Sequence, residues 1–244
     1  MATRKVLKDR WGKPLLVQAV FFDIGGTLVR GNLKHVDLLH QALVAIGYKV
    51  TRDEVVEAND LARRAVTRRR RRVAHRLDSS EASRRWLDNL AAALNLTADR
   101  AGLEGELATA IRTIETRAEE TVDPDAPALL ASLKARRLRL GVISNWSADL
   151  PEYLAAQGLA PYFEAIVASE AVGSAKPHRQ IFLKGLAALG CAPEHAVHVG
   201  DDYWADVVGA RDIGMHPVLV DRDHEAVHSD CPTITRLRDL EDLL

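Results

Sequence analysis

The sequence predicts a doubly wound α/β fold whose parallel sheet is interrupted by an all-helical insertion. Three observations support this prediction. Short apolar runs, rich in Val and Ile and each ending in a polar residue, are typical of parallel strands that are buried on both faces. Helical patterns separate the later runs. A long stretch after the first run contains helical patterns and no convincing strand.

The apolar runs predict five strands of the sheet. They are LVQAVFFD (16–23), LRLGVISN (138–145), FEAIVAS (163–169), HAVHVGDD (195–202) and HPVLVD (216–221). The segment 124–137 predicts a helix with Asp125 as its N-cap and basic residues in its last turn. SADLPEYLAAQGL predicts a second helix, and RQIFLKGLAALG predicts a third that ends at Gly190.

The position of the helical stretch predicts a discontinuous domain organisation. Residues 1–32 and 121–244 form the sheet domain, and residues 33–120 form the insertion. The first helix of the insertion has one apolar face, formed by Val36, Leu39, Leu43 and Ile46. We therefore expect the insertion to be all-helical.

Further helices of the insertion are indicated by capping signals. Thr51 and Glu54 have the spacing of a capping box, Ser80 is placed to cap a third helix, and a fourth spans about 98–118. The arginine-rich run at 63–76 allows two interpretations. It is either a solvated helix face, or a source of one or two arginines that reach an anionic substrate.

Composition excludes several classes of protein. Apolar residues make up 47% of the chain and charged residues 27%, with a formal net charge of −1, so no overall field favours nucleic acid. No apolar run has the length that spans a bilayer. The basic N-terminus lacks the apolar segment of a secretory signal, and two cysteines form no disulfide framework. We expect a cytoplasmic protein that is monomeric or homodimeric.

Polar groups follow successive strands at the edge where open parallel sheets bind ligands. Asp23 ends the first run, Ser144 and Asn145 end the second, Lys176 follows the third, and Asp201 ends the fourth. One aspartate at a strand end is weak evidence, because it also caps turns. Four groups in order indicate a site.

The same segments resemble a known family. FFDIGGTL, VISN, AKPHRQIF and HVGDDYWADVVGA are similar, in order, to the four motifs of the haloacid dehalogenase-like (HAD) hydrolase superfamily. The inserted helices resemble that superfamily's small cap domain, and the sheet its Rossmann-like core. The resemblance implies an aspartate nucleophile, Mg²⁺ and usually a phosphoryl substrate.

The resemblance implies a role for each aspartate. Asp23 would be the covalent nucleophile and a metal ligand. Asp201 would be a second carboxylate ligand of Mg²⁺, and the backbone carbonyl of Gly25 a third ligand. Asp206 would hold a metal-bound water or orient Lys176.

The remaining motif residues would bind the transferring group. Ser144 and the backbone beside it can donate hydrogen bonds to a phosphoryl group, with Asn145 or Thr27 helping. Lys176 supplies a fixed positive charge near the nucleophile, in a turn defined by Pro177. These expectations give Lys176 both a catalytic and a substrate-binding role.

Gly25 departs from the family pattern. The family's phosphatases usually have a second aspartate two residues after the nucleophile, which protonates the leaving oxygen. Glycine has no proton to give, and general acid–base catalysis is typically worth about 10²–10⁴-fold. Either the leaving group needs no acid, as in an acyl phosphate or activated ester, or an inserted-domain histidine supplies the proton, or the chemistry differs. The histidines in question are His35, His40 and His75.

Two related chemistries also fit the sequence. Phosphonate-cleaving members carry a small residue at this position too and form a Schiff base on a cap lysine, for which Lys34 and Lys49 are candidates. Dehalogenating members attack carbon without a metal, and Asp201 and Asp206 argue against that reaction. The sequence therefore favours a Mg²⁺-dependent hydrolase of a small phosphorylated or phosphonate substrate. Its alternatives are a non-catalytic or regulatory binding protein and a dehalogenase.

Overall fold

The computed structural model describes residues 7, 15–31, 35–72, 79–97, 100–115, 120–222 and 230–244. The chain divides into two compact units. The core unit comprises Met1–Arg30 and Thr121–Leu244, and the helical unit comprises Gly31–Glu120. Among the described residues, none of the helices has the length and apolar character needed to cross a bilayer.

The strands and helices of both units have the following bounds in chain order. The strands are β1 (Ala19–Phe22), β2 (Val29–Gly31), β3 (Glu120–Val122), β4 (Arg139–Ser144), β5 (Ala165–Ala168), β6 (Ala196–Gly200), β7 (His216–Val220) and β8 (Thr233–Ile234). The α-helices are α1 (His35–Ala45), α2 (Arg52–Arg72), α3 (Ser79–Ala93), α4 (Arg100–Glu115), α5 (Ala126–Ala135), α6 (Leu150–Ala156), α7 (Ser169–Val172), α8 (Arg179–Leu189) and α9 (Gly209–Arg211). Short 3₁₀ turns cover Ala160–Tyr162, Pro193–His195 and Leu237–Asp242, and a π-helix covers Tyr203–Val208.

The core unit has a parallel sheet with the order β5-β4-β1-β6-β7-β8. All of its described strand pairs are parallel. β1 lies between β4 and β6, with Val20 opposite Leu140 on one side and Val197 on the other. The predicted doubly wound α/β fold is confirmed, and all five predicted strands lie in this sheet.

Alternation along β1 divides the core into two layers. Val20 and Phe22 pack into one apolar cluster with Leu130 of α5. Phe21 points to the opposite face and packs with Phe182 of α8. All four β1 residues are fully buried, and burying one large apolar side chain contributes about 1.5–3 kcal/mol. This double burial explains the continuous apolar sequence of the strand.

Helix caps in the core unit differ from the prediction at one position. α8 ends at Gly190 in the left-handed region (φ +53°), as predicted. The side chain of Asp125 does not cap α5, because it pairs with Arg238 instead. The carboxylate of Asp123 accepts the backbone N–H of Asp125 at 2.9 Å and stabilises the start of the helix. Asp125 therefore occupies the predicted N-cap position of α5, but its side chain does not cap the helix.

The helical unit has its own apolar core. Residues of α1, α2, α3 and α4 contribute to one cluster, which includes Leu43, Val55, Leu90 and Leu103. The capping box at the start of α2 is confirmed. Thr51 N–H donates to Glu54 Oε2 at 2.7 Å, and Glu54 N–H donates to Thr51 Oγ1 at 3.3 Å.

One boundary of the helical unit differs from the predicted one. α3 includes Ser79, so Ser80 lies within the helix and not before it. α4 covers Arg100–Glu115 inside the predicted span 98–118, whose first two and last three residues lie outside the described residues.

A two-stranded ribbon, β2 paired with β3, lies where the chain passes between the units. Beside it, Asp123 is buried. Its Oδ2 lies 2.7 Å from Arg30 Nε and 2.7 Å from an Arg222 Nη. Arg222 also donates hydrogen bonds to the carbonyls of Gly26 and Thr27. This arginine therefore ties the loop that follows β1 to the start of α5.

Candidate active site

Asp23 lies at the carboxyl end of β1, the central strand of the sheet that β4 and β6 flank. Its backbone N–H donates to the carbonyl of Val199 at 2.9 Å, so the pairing with β6 holds the residue in place. Ser144 Oγ donates to Asp23 Oδ1 at 2.7 Å, and Lys176 Nζ lies 2.6 Å from the same oxygen. The side chain is 12% exposed, which leaves one small part of the carboxylate accessible.

A chain of buried charged groups continues from Asp23. Lys176 Nζ lies 2.7 Å from Asp206 Oδ1, and His198 Nε2 donates to the same Asp206 oxygen at 2.9 Å. The backbone N–H of Asp202 donates to Asp206 Oδ2 at 3.1 Å. Both oxygens of Asp206 are therefore bonded, which holds the carboxylate in one orientation beside the lysine.

His198 is a residue that sequence reasoning missed. It is fully buried in the middle of β6, and its ring meets that of Phe182 edge-on at a centroid distance of 5.2 Å. The available signal was a titratable side chain at an inward position of an otherwise apolar run. Such a residue needs a polar partner, and Asp206 is that partner.

The side chain of Asn145 is hydrogen-bonded to the backbone of Lys176. Its side-chain oxygen accepts the backbone N–H of Lys176 at 2.7 Å, and its side-chain nitrogen donates to the Lys176 carbonyl at 3.2 Å. This amide pair places Lys176 relative to the end of β4. Thr27 Oγ1 donates to Asp201 Oδ1 at 3.2 Å. Both side chains predicted to help bind the substrate thus bond to other site residues in the structure.

The carboxylates of Asp23, Asp201 and Asp206 form a cluster. One oxygen from each lies within 4.8 Å of the others. Asp201 is the member that reaches the surface, while Asp23 and Asp206 are buried. Hard carboxylate oxygens at this separation fit Mg²⁺, which is held by one or two carboxylates, other oxygen ligands and water. The donor set is therefore suited to a divalent cation.

Glycines leave the space that this cluster occupies. A β-carbon at Gly26 would lie 2.2 Å from Asp201 Oδ2, and Gly26 has a φ of +72°. A β-carbon at Gly200 would lie 2.2 Å from Asp206 Cγ. Both distances are far below contact separation, so the two carboxylates lie where only glycine backbone permits.

Burial and neighbouring charges shift the pKa values of the cluster. Burial raises the pKa of Asp23, against the opposing charge of Lys176. Although the residue Asp201 reaches the surface, its carboxylate is desolvated by the groups around it, and this desolvation, followed by the charges of Asp23 and Asp206, raises its pKa well above the usual range. This repulsion between carboxylates is what a bound cation relieves.

Asp206 and Lys176 shift in the directions of an ion pair. Burial alone would raise the pKa of Asp206, but the charge of Lys176 and the hydrogen bond from His198 outweigh it and hold that pKa well below its usual range. Burial would likewise lower the pKa of Lys176, and the carboxylates of Asp206 and Asp23 reverse the effect and raise it. Lys176 therefore stays positively charged beside Asp23.

Position 25 carries no side chain and borders an aromatic ring. A β-carbon at Gly25 would have Trp146 Cζ3 as its nearest heavy atom, at 3.8 Å, and its φ lies outside the left-handed region. Neither backbone conformation nor space requires glycine here, in contrast to Gly26. The missing carboxyl group is therefore a property of the site and not a condition of the fold.

Other residues singled out in the sequence have different positions. His178 is the N-cap residue of α8, and its Nδ1 accepts the Gln180 N–H at 3.3 Å. His40 Nε2 lies 3.1 Å from the carbonyl of Val50 within the helical unit, and Lys49 borders a small groove of that unit. Lys34 and His75, and the side chain of His35, lie outside the described residues.

Part of the arginine run also has local partners. Arg63 Nε donates to Asn59 Oδ1 at 3.2 Å, and Arg64 pairs with Asp60 at 2.6 Å. The side chains from 67 to 76 lie outside the described residues. The described part of the run thus bonds within its own helix, as a solvated helix face does.

A carboxylate cluster with one lysine, at the carboxyl edge of a doubly wound sheet, places the chain among α/β enzymes that bind their ligand beyond the strand ends. Residues 17–214 match the family model of the haloacid dehalogenase-like hydrolases. The chain belongs to this family, which confirms the prediction from its four motifs.

Several curated relatives are similar to the chain. The phosphoserine phosphatase of Thermus thermophilus is 38% identical over 121 residues, 49% of each chain. The glyceraldehyde 3-phosphate phosphatase of Methanothermobacter thermautotrophicus is 35% identical over 130 residues, 50% of this chain and 58% of the relative. The haloacid dehalogenase-like hydrolase domain-containing protein 3 of Xenopus laevis is 44% identical over 97 residues, 40% of each chain. The chain thus spans about half the length of the curated relatives it matches.

Solved structures share the fold. A HAD phosphatase from Thermococcus onnurineus has a TM-score of 0.55 at 24% identity, covering 92% of this chain and 96% of its own. The HAD-hydrolase YfnB of Bacillus subtilis, solved bound to magnesium, has a TM-score of 0.58 at 19% identity with the same coverage. At these identities the likeness extends to the fold alone.

Proposed function

We propose that the protein is a Mg²⁺-dependent phosphatase that forms an aspartyl-phosphate on Asp23. The observation that carries this proposal is the arrangement around Asp23, whose Oδ1 is bonded at once by Ser144 and Lys176. Phosphatases among the curated relatives support the choice of substrate class. We also propose that the helical unit, Gly31–Glu120, is the cap domain implied by the resemblance.

In the first step a carboxylate oxygen of Asp23 attacks phosphorus. The bond from phosphorus to the leaving oxygen breaks, and that oxygen departs with the electron pair. Ser144 and Lys176 orient the carboxylate, and the Lys176 charge stabilises the negative charge that gathers on the phosphoryl oxygens. Because Asp206 fixes the ammonium group, no reorganisation of the lysine is needed as this charge develops.

In the second step water attacks the phosphorus of the aspartyl-phosphate. The P–O bond to Asp23 breaks, orthophosphate leaves, and the carboxylate is regenerated. One water is consumed for each ester cleaved, and its two protons are shared between the orthophosphate and the released alcohol.

Mg²⁺ would be held by Asp23, Asp201 and the carbonyl of Gly25, with Asp206 acting through a water. When bound, it neutralises phosphate charge that would otherwise repel the attacking carboxylate. The hydrogen bond from Thr27 to Asp201 would keep that ligand oriented, as partners of metal ligands do.

Beryllofluoride tests the proposal, because it mimics an aspartyl-phosphate without requiring the natural substrate. We expect the wild-type protein with Mg²⁺ to trap it, giving a bound ¹⁹F NMR signal and a raised melting temperature. Asp23→Asn should abolish both the trapping and any phosphatase turnover, since an amide is not a nucleophile. Glu164→Gln removes a carboxylate from an exposed ion pair with Arg139 and should trap as the wild type does.

Two results would contradict the proposal. A wild-type protein that gives no bound fluoride signal with Mg²⁺ would favour a non-catalytic or regulatory binding protein. Turnover of 2-haloacids in the absence of Mg²⁺, with no turnover of phosphate esters, would favour a dehalogenase.

A further inference from the structure

Two positions at the edge of the candidate active site have no side-chain role in the steps above. Gly25 follows Asp23 by two positions, and Trp146 follows Ser144 by two positions. β1 and β4 are neighbouring parallel strands, and Asp23 and Ser144 are hydrogen-bonded at their ends. The residues two positions further on therefore flank the nucleophile together.

The space at position 25 is bordered by Trp146 and is otherwise open. Among the described residues beyond its chain neighbours, a β-carbon there would meet Trp146 Cζ3 alone, at an ordinary contact distance of 3.8 Å. At the next residue the reverse holds, because a β-carbon on Gly26 would collide with Asp201. A side chain at position 25 would thus contact the indole ring without the collision with Asp201 that occurs at position 26.

Trp146 is held firmly enough to form a wall. Its ring lies 4.8 Å from that of Tyr153, centroid to centroid. Its carbonyl accepts the N–H of Glu170 and the hydroxyl of Ser169, each at 3.2 Å. The Glu170 carboxylate in turn accepts the N–H of Ala148 at 2.7 Å. The half-buried ring therefore offers a preorganised apolar surface beside position 25.

We propose that Gly25 and Trp146 form a leaving-group subsite for phosphate esters of planar, weakly basic hydroxyl groups, such as aryl or enol phosphates. Aromatic rings pack well against an indole, and the absent side chain leaves them room. This inference rests on the proposed function, because it concerns the group that leaves when Asp23 attacks.

The leaving group's chemistry agrees with the absent acid. When Asp23 attacks an aryl phosphate, the P–O bond breaks and the phenolate takes the electron pair. A phenol has a pKa of about 10, so its anion can leave unprotonated and take a proton from water afterwards. An alkoxide is far more basic and needs a proton donor as it leaves. Position 25 supplies none, so the site selects for the first kind of ester.

Three phosphate substrates test the subsite with Mg²⁺ present. Phenyl phosphate has a planar group that leaves readily. Cyclohexyl phosphate has a group of similar size that is not planar and leaves poorly. Acetyl phosphate has a group that leaves readily but is too small to stack on an aromatic ring. We expect the wild-type kcat/KM for phenyl phosphate to exceed that for cyclohexyl phosphate by at least about 100-fold. Gly25→Asp should narrow this ratio, because it restores a proton donor and fills the subsite.

Trp146 is tested by the ratio of phenyl to acetyl phosphate. Trp146→Leu should lower the kcat/KM ratio about fivefold to tenfold, while Trp146→Phe should keep most of it. Tyr162→Leu removes another half-buried aromatic ring of the same apolar cluster and should leave the ratio unchanged. Beryllofluoride trapping is measured on every variant, so that loss of the nucleophile is distinguished from loss of the subsite.

The inference is overturned if Trp146→Leu leaves the phenyl-to-acetyl ratio at its wild-type value. It is equally overturned if a wild-type protein that traps beryllofluoride cleaves cyclohexyl phosphate as well as phenyl phosphate, or cleaves none of the three. Each of these results would leave the proposed aspartyl-phosphate on Asp23 in place. Absence of trapping by the wild type would instead remove the proposed function itself.

Discussion

Gly26 combines a left-handed backbone with a close approach to the Asp201 carboxylate. These two requirements are separable, because Gly158 has nearly the same φ (+71°) and nothing within 4 Å of its would-be β-carbon. A comparison of the two positions therefore distinguishes backbone strain from displacement of a predicted metal ligand.

Gly26→Ala should weaken Mg²⁺ binding about tenfold to 100-fold, as loss of support around metal ligands typically does. The added methyl group must displace Asp201 from the carboxylate cluster. Isothermal titration calorimetry with Mg²⁺ measures the effect. Gly158→Ala should lower stability by about 1 kcal/mol and keep the wild-type Mg²⁺ affinity. Equal losses of affinity in both variants would show that strain alone explains the result.

Individual side chains of the site differ in how far the sequence predicts them. Asp23, Lys176 and Asp206 were singled out from strand ends and motifs, and the structure brings them together. The amide pair of Asn145 with the Lys176 backbone depends on the shape of a loop, which no spacing in the sequence encodes. His198 was missed because its partner comes from the π-helix that follows its own strand.

The secondary-structure elements also divide into those that the sequence predicts and those that it does not. Five of the six strands of the central sheet are predictable from the sequence, because burial on both faces demands apolar runs. β2, β3 and β8 are not, because each has only two or three residues, and β3 is largely exposed, so no pattern marks them. Asp125 is the N-cap residue of α5, as predicted, but the carboxylate of Asp123 stabilises the start of the helix in its place, because both side chains are suitable caps. The choice between them depends on Arg238, which is distant in sequence.

Asp123 should be the more important of two ion-pair carboxylates for the elements it joins. Asp123→Ala should lower the free energy of unfolding by about 3 kcal/mol or more, because Arg222, 16% exposed, loses its buried partner. Urea denaturation measures the loss. Glu164→Ala breaks a pair whose side chains are 44% and 47% exposed and should cost less than about 1 kcal/mol. Similar losses in the two variants would contradict a structural role for the buried cluster.

The whole molecule has separate apolar cores in its two units. Clusters on the two faces of the sheet stabilise the core unit, and one cluster stabilises the helical unit. The amino-acid sequence predicts both units, since buried strands appear as continuous apolar runs and amphipathic helices appear as apolar residues three or four positions apart. Stability should accordingly be a property of each unit.

Leu90→Ala should destabilise the helical unit by about 2–5 kcal/mol, because Leu90 is fully buried in its cluster. Hydrogen exchange followed by mass spectrometry should show faster exchange in peptides from α3 and unchanged exchange in β1. Faster exchange in both segments would show that the units unfold together. Leu183→Ala, at an exposed position of α8, should change hydrogen exchange in neither α3 nor β1.

The β2–β3 ribbon has a consequence for how this architecture can vary. The strand that leaves the core unit and the strand that returns to it are hydrogen-bonded neighbours. Both ends of the inserted helical segment are therefore joined to the core unit at one place. Any folded segment whose two ends match the spacing of β2 and β3 could replace the inserted helices without changing the register of the six-stranded sheet. The sheet and the candidate active site at its edge can therefore stay unchanged while the inserted helices are exchanged, lengthened or lost.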